Sequence, residues 1–170
     1  MSATPPTTRE KVMKREDFIV SKTDTKGKIT YCNEIFMDMA MMTEAELLGK
    51  PHSIVRHPDM PKVIFKLLWE TVNSGKEIFA YVKNLSKDGS FYWVYANVTP
   101  SYDQNDKIIG YYSVRIKPNP KALDMIKPLY AKLLSLETSG GITSSQAHLD
   151  AILKEKGVNY DEFIISIQAA

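Results

Sequence analysis

The sequence predicts an α+β domain, an antiparallel sheet with its helices gathered on one face. Three features point there. A hairpin pattern occupies 17–32, an apolar stripe at helical spacing runs through 62–73, and three strand patterns separated by turn signals fill 77–116. The 170 residues are enough for one domain with a real core, and 44% hydrophobic with 25% charged side chains is ordinary globular composition.

Residues 1–16 are polar and proline-containing and read as a flexible N-terminal arm. Asp17–Thr23 is rich in β-branched and aromatic side chains, Thr25-Lys-Gly27 is a turn, and Lys28–Cys32 is the returning strand. Asn33 stands where a helix cap is wanted, ahead of a short helix Glu34–Met41. Thr43-Glu-Ala-Glu46 has capping-box spacing for a second short helix that ends at Gly49.

The stretch Pro51-His-Ser-Ile-Val-Arg-His-Pro-Asp-Met-Pro61 cannot stay regular, because Pro58 and Pro61 each remove a backbone donor and push the preceding residue away from helix. Asp59 then reads as the N-cap of a helix Lys62–Asn73, with Pro61 in its first turn. Val63, Ile64, Leu67, Leu68 and Val72 give that helix its apolar face. Arg56 and His57 are thereby presented at the helix mouth.

Glu77–Leu85, Ser90–Tyr102 and Lys107–Ile116 read as a meander, with turns at Lys87-Asp-Gly89 and Asn105-Asp106. In the middle strand Tyr92, Val94, Ala96 and Val98 alternate with Phe91, Trp93, Tyr95, Asn97 and Thr99, so the two sets line opposite faces. The domain thus spans 17–117. Residues 118–170 form a C-terminal helical extension, with helices at Ala122–Leu136, Ser144–Lys156 and Tyr160–Ile167 broken at Ser139-Gly-Gly141. Their apolar faces must bury on the sheet, on each other, on a second copy or on a partner.

Several function classes lose support. A net charge of +2 without a basic stripe argues against nucleic acid, and no apolar run reaches the roughly 18 residues of a membrane span. Hydrolase, P-loop and kinase motifs are missing, so the chain does not read as an enzyme. His52 and His148 lack companions at metal-ligand spacing. The one cysteine, Cys32, permits no internal disulfide and suits a reducing cytoplasm.

One set of residues carries a resemblance. Arg56-His-Pro-Asp-Met-Pro61, Phe65-x-x-x-Trp69, Val82-Lys-Asn84, Lys87-Asp-Gly89, Tyr92-Trp-Val94, Ala96-Asn97 and Gly110-Tyr111 follow one another as in the PAS sensor domains. The closest resemblance is to the flavin-binding type of bacterial aerotaxis and energy-taxis receptors. It covers roughly 17–117 and implies a five-stranded antiparallel sheet holding FAD between its concave face and the helices. It implies sensing without catalysis, through the redox state of non-covalently bound FAD. The chain looks like the stand-alone form, which pairs with a separate membrane-bound receptor of the methyl-accepting chemotaxis type. That implies a cytoplasmic protein recruited to the inner membrane face by its partner, with a homodimer left open.

By this resemblance Asn84 is the first candidate for the flavin ring edge, with Asn33 next and Asn97 third. A carboxamide suits that edge because it both donates and accepts. Arg56 and His57 would serve the phosphates or ribose, Asp59 would fix Arg56 or cap the helix, and Trp69 would be a ring wall or core. Many members carry a Trp where this chain has Ile78, leaving Phe79 or Trp93 to supply a ring. Cys32, at a strand end, is misplaced for a photoadduct. The rival readings are a haem sensor using His57 or His52 as axial ligand, and a ligand-free docking module.

Overall fold

The computed structural model describes residues 4–170; residues 1–3, the start of the expected arm, lie outside the described residues. Strands β1 (Ile19–Thr23) and β2 (Ile29–Cys32) form the first hairpin, and α1 (Glu34–Ala40) and α2 (Glu44–Leu47) follow. A 3-10 turn (His52–Val55) leads to α3 (Lys62–Asn73), then to the meander β3 (Ile78–Leu85), β4 (Phe91–Tyr102) and β5 (Ile108–Ile116). The sheet is antiparallel, in the order β2-β1-β5-β4-β3. The predicted α+β fold with a five-stranded antiparallel sheet and helices α1–α3 on one face is the observed one.

Strand alternation and register fix the two faces. Ser21 pairs with Ser113, Val98 with Ser113 and Ile78 with Val98, so these side chains share the face toward α3. Tyr81 opposite Tyr95 and Lys83 opposite Trp93 point the other way. That outer face is covered over β3 and β4 by the C-terminal extension, α4 (Pro120–Lys156) and α5 (Tyr160–Ala169). Helix α4 is two arms joined at Gly141, whose φ of 70° and ψ of −170° are non-helical, which is the predicted break.

The extension is integral to the core. Tyr130 Oη donates to the Tyr81 carbonyl at 2.6 Å, its ring packs on Trp93, and Tyr81 Oη donates to Gln168 Oε1 at 3.0 Å. Leu123, Ile126, Leu133, Leu149, Phe163, Ile164 and Ile167 are buried, and each such side chain contributes about 1.5–3 kcal/mol. The arm, expected to be flexible, is tied down over its described part. The Thr7 and Lys11 N–H groups donate to the carbonyls of Gly89 and Phe91, and Met13 is buried.

Candidate functional site

A cavity of about 240 Å³ lies between the inner sheet face and α3. Its floor is Ser21 and Thr23 of β1, Val82 and Asn84 of β3, Ala96 and Val98 of β4, and Tyr111, Ser113 and Arg115 of β5. Phe65, Leu68 and Trp69 of α3 form the opposite wall. The mouth carries Lys26, Ser53 and Arg56, all exposed. At this volume it sits just under the roughly 300–1,000 Å³ of drug-sized ligand sites, so it admits a flat ring system and leaves any long appendage in the mouth.

Local chemistry builds the walls. Helix α3 starts after Pro61 and presents Trp69 two turns later, its indole edge-on to Tyr111 at 5.4 Å. The same indole lies 3.2 Å from where a Cβ on Gly27 would stand, and Gly27 has a φ of +83°. The β1–β2 turn therefore needs glycine twice, for its backbone and for room. Arg56 is extended at the end of the 3-10 turn, pairs with Asn84 through an isolated antiparallel bridge, and lays its guanidinium on the Phe65 ring at 3.8 Å.

Of the residues predicted from sequence, Arg56, Asn84 and Trp69 come together at this cavity. Asn84 is 4% exposed and stands on the floor. Opposite it on β4, the buried Tyr92 hydroxyl has no hydrogen-bond partner and is pushed up to about 12, chiefly by burial, which Arg115 and the Asn84 side chain partly offset.

The other four lie elsewhere. His57 is buried off the cavity: Nδ1 accepts the Asp59 N–H at 3.0 Å and the ring packs edge-on to Phe91. Burial, then Lys83, hold His57 below its ordinary value, so the 3.7 Å approach to the Asp59 carboxylate joins a neutral ring to an anion. Asp59 does not cap α3. Its carboxylate takes Lys83 Nζ at 2.8 Å, and Lys83 holds it below the usual carboxylate range. The cap is Glu137 of α4, whose oxygens accept the Lys62 and Val63 N–H groups at 2.7 and 3.0 Å.

Asn33 is committed to structure. Its Oδ1 accepts from Val20 and Phe36 N–H and its Nδ2 donates to the Phe18 carbonyl, which joins β1 to α1. Asn97 points to the outer face and donates to the Ile78 carbonyl at 3.4 Å. Phe79 and Trp93 also occupy the outer face, so neither supplies a cavity ring in place of a Trp at Ile78, which packs instead with Val72 and Tyr111.

Sequence reasoning missed the β1–β5 half of the floor. Arg115, 4% exposed, donates from one terminal nitrogen to His52 Nε2 at 2.8 Å and from the other to Ser21 Oγ at 2.7 Å. Its remaining face lies over Phe36 at 4.7 Å. Burial pushes the guanidinium down to about 10, still protonated at neutral pH. Burial and the adjacent Arg115 push His52 down to about 3, so its ring is neutral. Thr23 Oγ1, Ser113 Oγ and Arg115 Nε are buried with no hydrogen-bond partner. The signal was available in the alternation, which places Tyr111, Ser113 and Arg115 on one face of β5.

A second cleft, of about 440 Å³, lies on the outer face between β3–β4 and α4. Lys83 is paired there with Asp59 and the buried Tyr130 hydroxyl with the Tyr81 carbonyl, whereas the inner cavity holds buried polar atoms without partners and is the better ligand site.

Comparisons with known proteins agree with this geometry. A family model described as PAS fold matches residues 29–115. The aerotaxis receptor of Escherichia coli (strain K12) is 35% identical over 156 residues, 91% of this chain and 30% of that protein. The chain therefore spans about a third of that relative's length. A light-oxygen-voltage domain studied with a flavin analogue superposes with a TM-score of 0.57 at 18% identity, covering 65% of this chain and 83% of that one. A PAS domain of a protein from Colwellia psychrerythraea gives 0.55 at 19% identity, covering 59% and 85%. Matched over half its length, with the strand order and cavity described above, the chain belongs to the PAS-fold family.

Proposed function

We propose that this PAS domain is an energy-taxis sensor that binds FAD non-covalently and reports its redox state to a methyl-accepting chemotaxis-type receptor, without catalysing a reaction. The observation that carries this reading is the inner cavity. It offers flat walls in Phe65 and Trp69, the Asn84 carboxamide, and buried unpartnered polar atoms on Thr23, Ser113 and Arg115. A polar heteroaromatic ring fits that set, because unpartnered buried groups are costly until a ligand meets them. Similarity to an aerotaxis receptor supports the taxis reading, and the resemblance of the motifs to the flavin-binding type of such receptors supports FAD as that ligand.

When bound, FAD supplies reversible acceptance of electrons and protons. The chain's residues hold and orient it. Asn84 would donate to and accept from the ring edge, Trp69 and Phe65 would exclude water from its faces, and Arg56 with Lys26 would meet the pyrophosphate at the mouth. His52 stays neutral beside Arg115 and contributes a dipole without a charge.

Output runs through the covered outer face. Helix α3, which walls the cavity, receives its N-terminal cap from Glu137 of α4, and β3 carries both Asn84 inside and Tyr81 outside against α5. A shift at the ring edge is thus coupled to the extension, which would meet the receptor at the inner membrane face, with a homodimer as the alternative assembly. Haem is the weaker ligand, since His57 is off the cavity and His52 Nε2 already accepts from Arg115. The test is incubation of the purified protein with FAD, followed by gel filtration and a visible spectrum, oxidised and then reduced. Retained FAD supports the proposal; a colourless protein refutes it.

A further inference from the structure

Arg115 is the unexplained charge of this fold. It is buried in the cavity floor, and among the described residues no carboxylate lies within ion-pair distance of it. Its partners are neutral: His52 Nε2, Ser21 Oγ and the face of Phe36. A guanidinium has five N–H donors in a fixed fork, and Nε has no acceptor. A buried cation without an anion is unfavourable, and the hydrogen bonds to His52 and Ser21 and the Phe36 face offset it only in part. Ser113 stands two residues before Arg115 on the same face of β5, and Thr23 lies on β1 opposite Tyr111. Their unpartnered oxygens complete a polar half of the floor. Val82, Ala96 and Val98 separate this half from Asn84, which lies two strands away and further along the register, since Asn84 pairs with Tyr92 and Arg115 with Ala96, about 17 Å at ordinary strand spacing.

We infer that Arg115, flanked by Ser113 and Thr23, is an acceptor-binding pole of the cavity, holding the ligand edge on which negative charge collects when the ligand is reduced. The inference rests on the flavin reading and adds to it a residue and a thermodynamic preference. A flavin ring that takes two electrons and one proton gains one negative charge. In the test the electrons come from dithionite and the proton from solvent, and Arg115 keeps its own proton. A fixed, desolvated cation beside that charge favours the reduced ligand over the oxidised one.

The experiment measures the affinity of the full chain for oxidised FAD and for dithionite-reduced FAD. The parent protein is expected to bind reduced FAD at least tenfold more tightly. Arg115→Gln lowers that ratio at least tenfold, a fall of about 30 mV for a two-electron couple, and Arg115→Lys, which keeps the charge, retains most of it. A purely structural role for Arg115 would weaken both forms alike and leave the ratio unchanged, which would overturn the inference. So would a parent protein that binds the two forms equally, a result that needs no variant to fold. A parent that binds FAD in neither form overturns the flavin reading and this assignment together, whereas flavin binding with an unmoved ratio overturns the assignment alone.

Discussion

Arg56 and Asn84 are backbone partners in an isolated antiparallel bridge, which fastens the proline-braced segment to the end of β3. The same segment is held a second time where Met60 Sδ accepts the Lys83 N–H at 3.2 Å. The mouth cation and the floor carboxamide are therefore one rigid unit. Asn84→Ala should leave the fold intact and weaken FAD binding about 10- to 100-fold, the loss of one or two buried hydrogen bonds. Asn33→Ala should do the reverse: chemical denaturation should show a loss of about 1–2 kcal/mol for the cap, with FAD affinity of the folded protein unchanged. Equal effects on FAD from both variants would refute the separation of roles drawn here.

Glu137 ties the extension to the cavity wall. Its carboxylate caps α3 and accepts Ser145 Oγ at 2.7 Å, so one side chain spans α3 and both arms of α4. Glu137→Ala should cost about 1–2 kcal/mol in urea titrations. It should also raise hydrogen exchange in the first turn of α3. Unaltered exchange there would mean that solvent or a neighbouring group replaces the cap.

Gly27→Ala meets two obstacles, a φ of +83° and the Trp69 ring 3.2 Å from the new methyl. A destabilisation of about 1–3 kcal/mol is expected. Because the indole must shift, tryptophan fluorescence of the folded variant should change as well. A variant with parental stability and emission would show that the turn has room that the packing denies.

Acid should destabilise the fold through histidine. His52 is lowered from 6.5 to about 3 by burial and Arg115, and His57 is lowered in the same direction. The unfolded chain then binds protons first as pH falls below 6.5, so stability drops from that point toward pH 3. Each titrating histidine contributes a slope of at most about 1.4 kcal/mol per pH unit, less at His52, a residue only partly buried. Asp59, held low by Lys83, adds a loss in the same direction only below the ordinary carboxylate range. Urea midpoints measured between pH 7.5 and 4 should fall, and His52→Gln should flatten the curve. A midpoint independent of pH over that interval would contradict the buried neutral state.

The elements were largely legible because their signals are local. Alternation in Phe91–Thr99, the stripe of α3 and the turn glycines set strands and helix to within a residue or two. The site was legible in part. Arg56, Asn84 and Trp69 sit in a dense run of motifs, and the fold brings them to one cavity. Asp59 misled because Pro61, not Asp59, precedes α3, and the true cap lies 75 residues away in sequence from Lys62. Asn33 and Asn97 show that a carboxamide in the right neighbourhood can be spent on backbone partners. Arg115 escaped notice because a charged residue near a strand end reads as solvated; the alternation groups it with Tyr111 and Ser113, and the register with β1 and β4 shows that this face is the inner one.

The central claim is that the inner cavity holds FAD. The most direct measurement is the FAD content of the purified chain after saturation with the cofactor and removal of excess, read from the visible spectrum before and after denaturation. One FAD per chain, released intact by denaturation and reduced on the sample's exposure to dithionite, is the predicted result. A folded protein that retains no flavin under those conditions would contradict it.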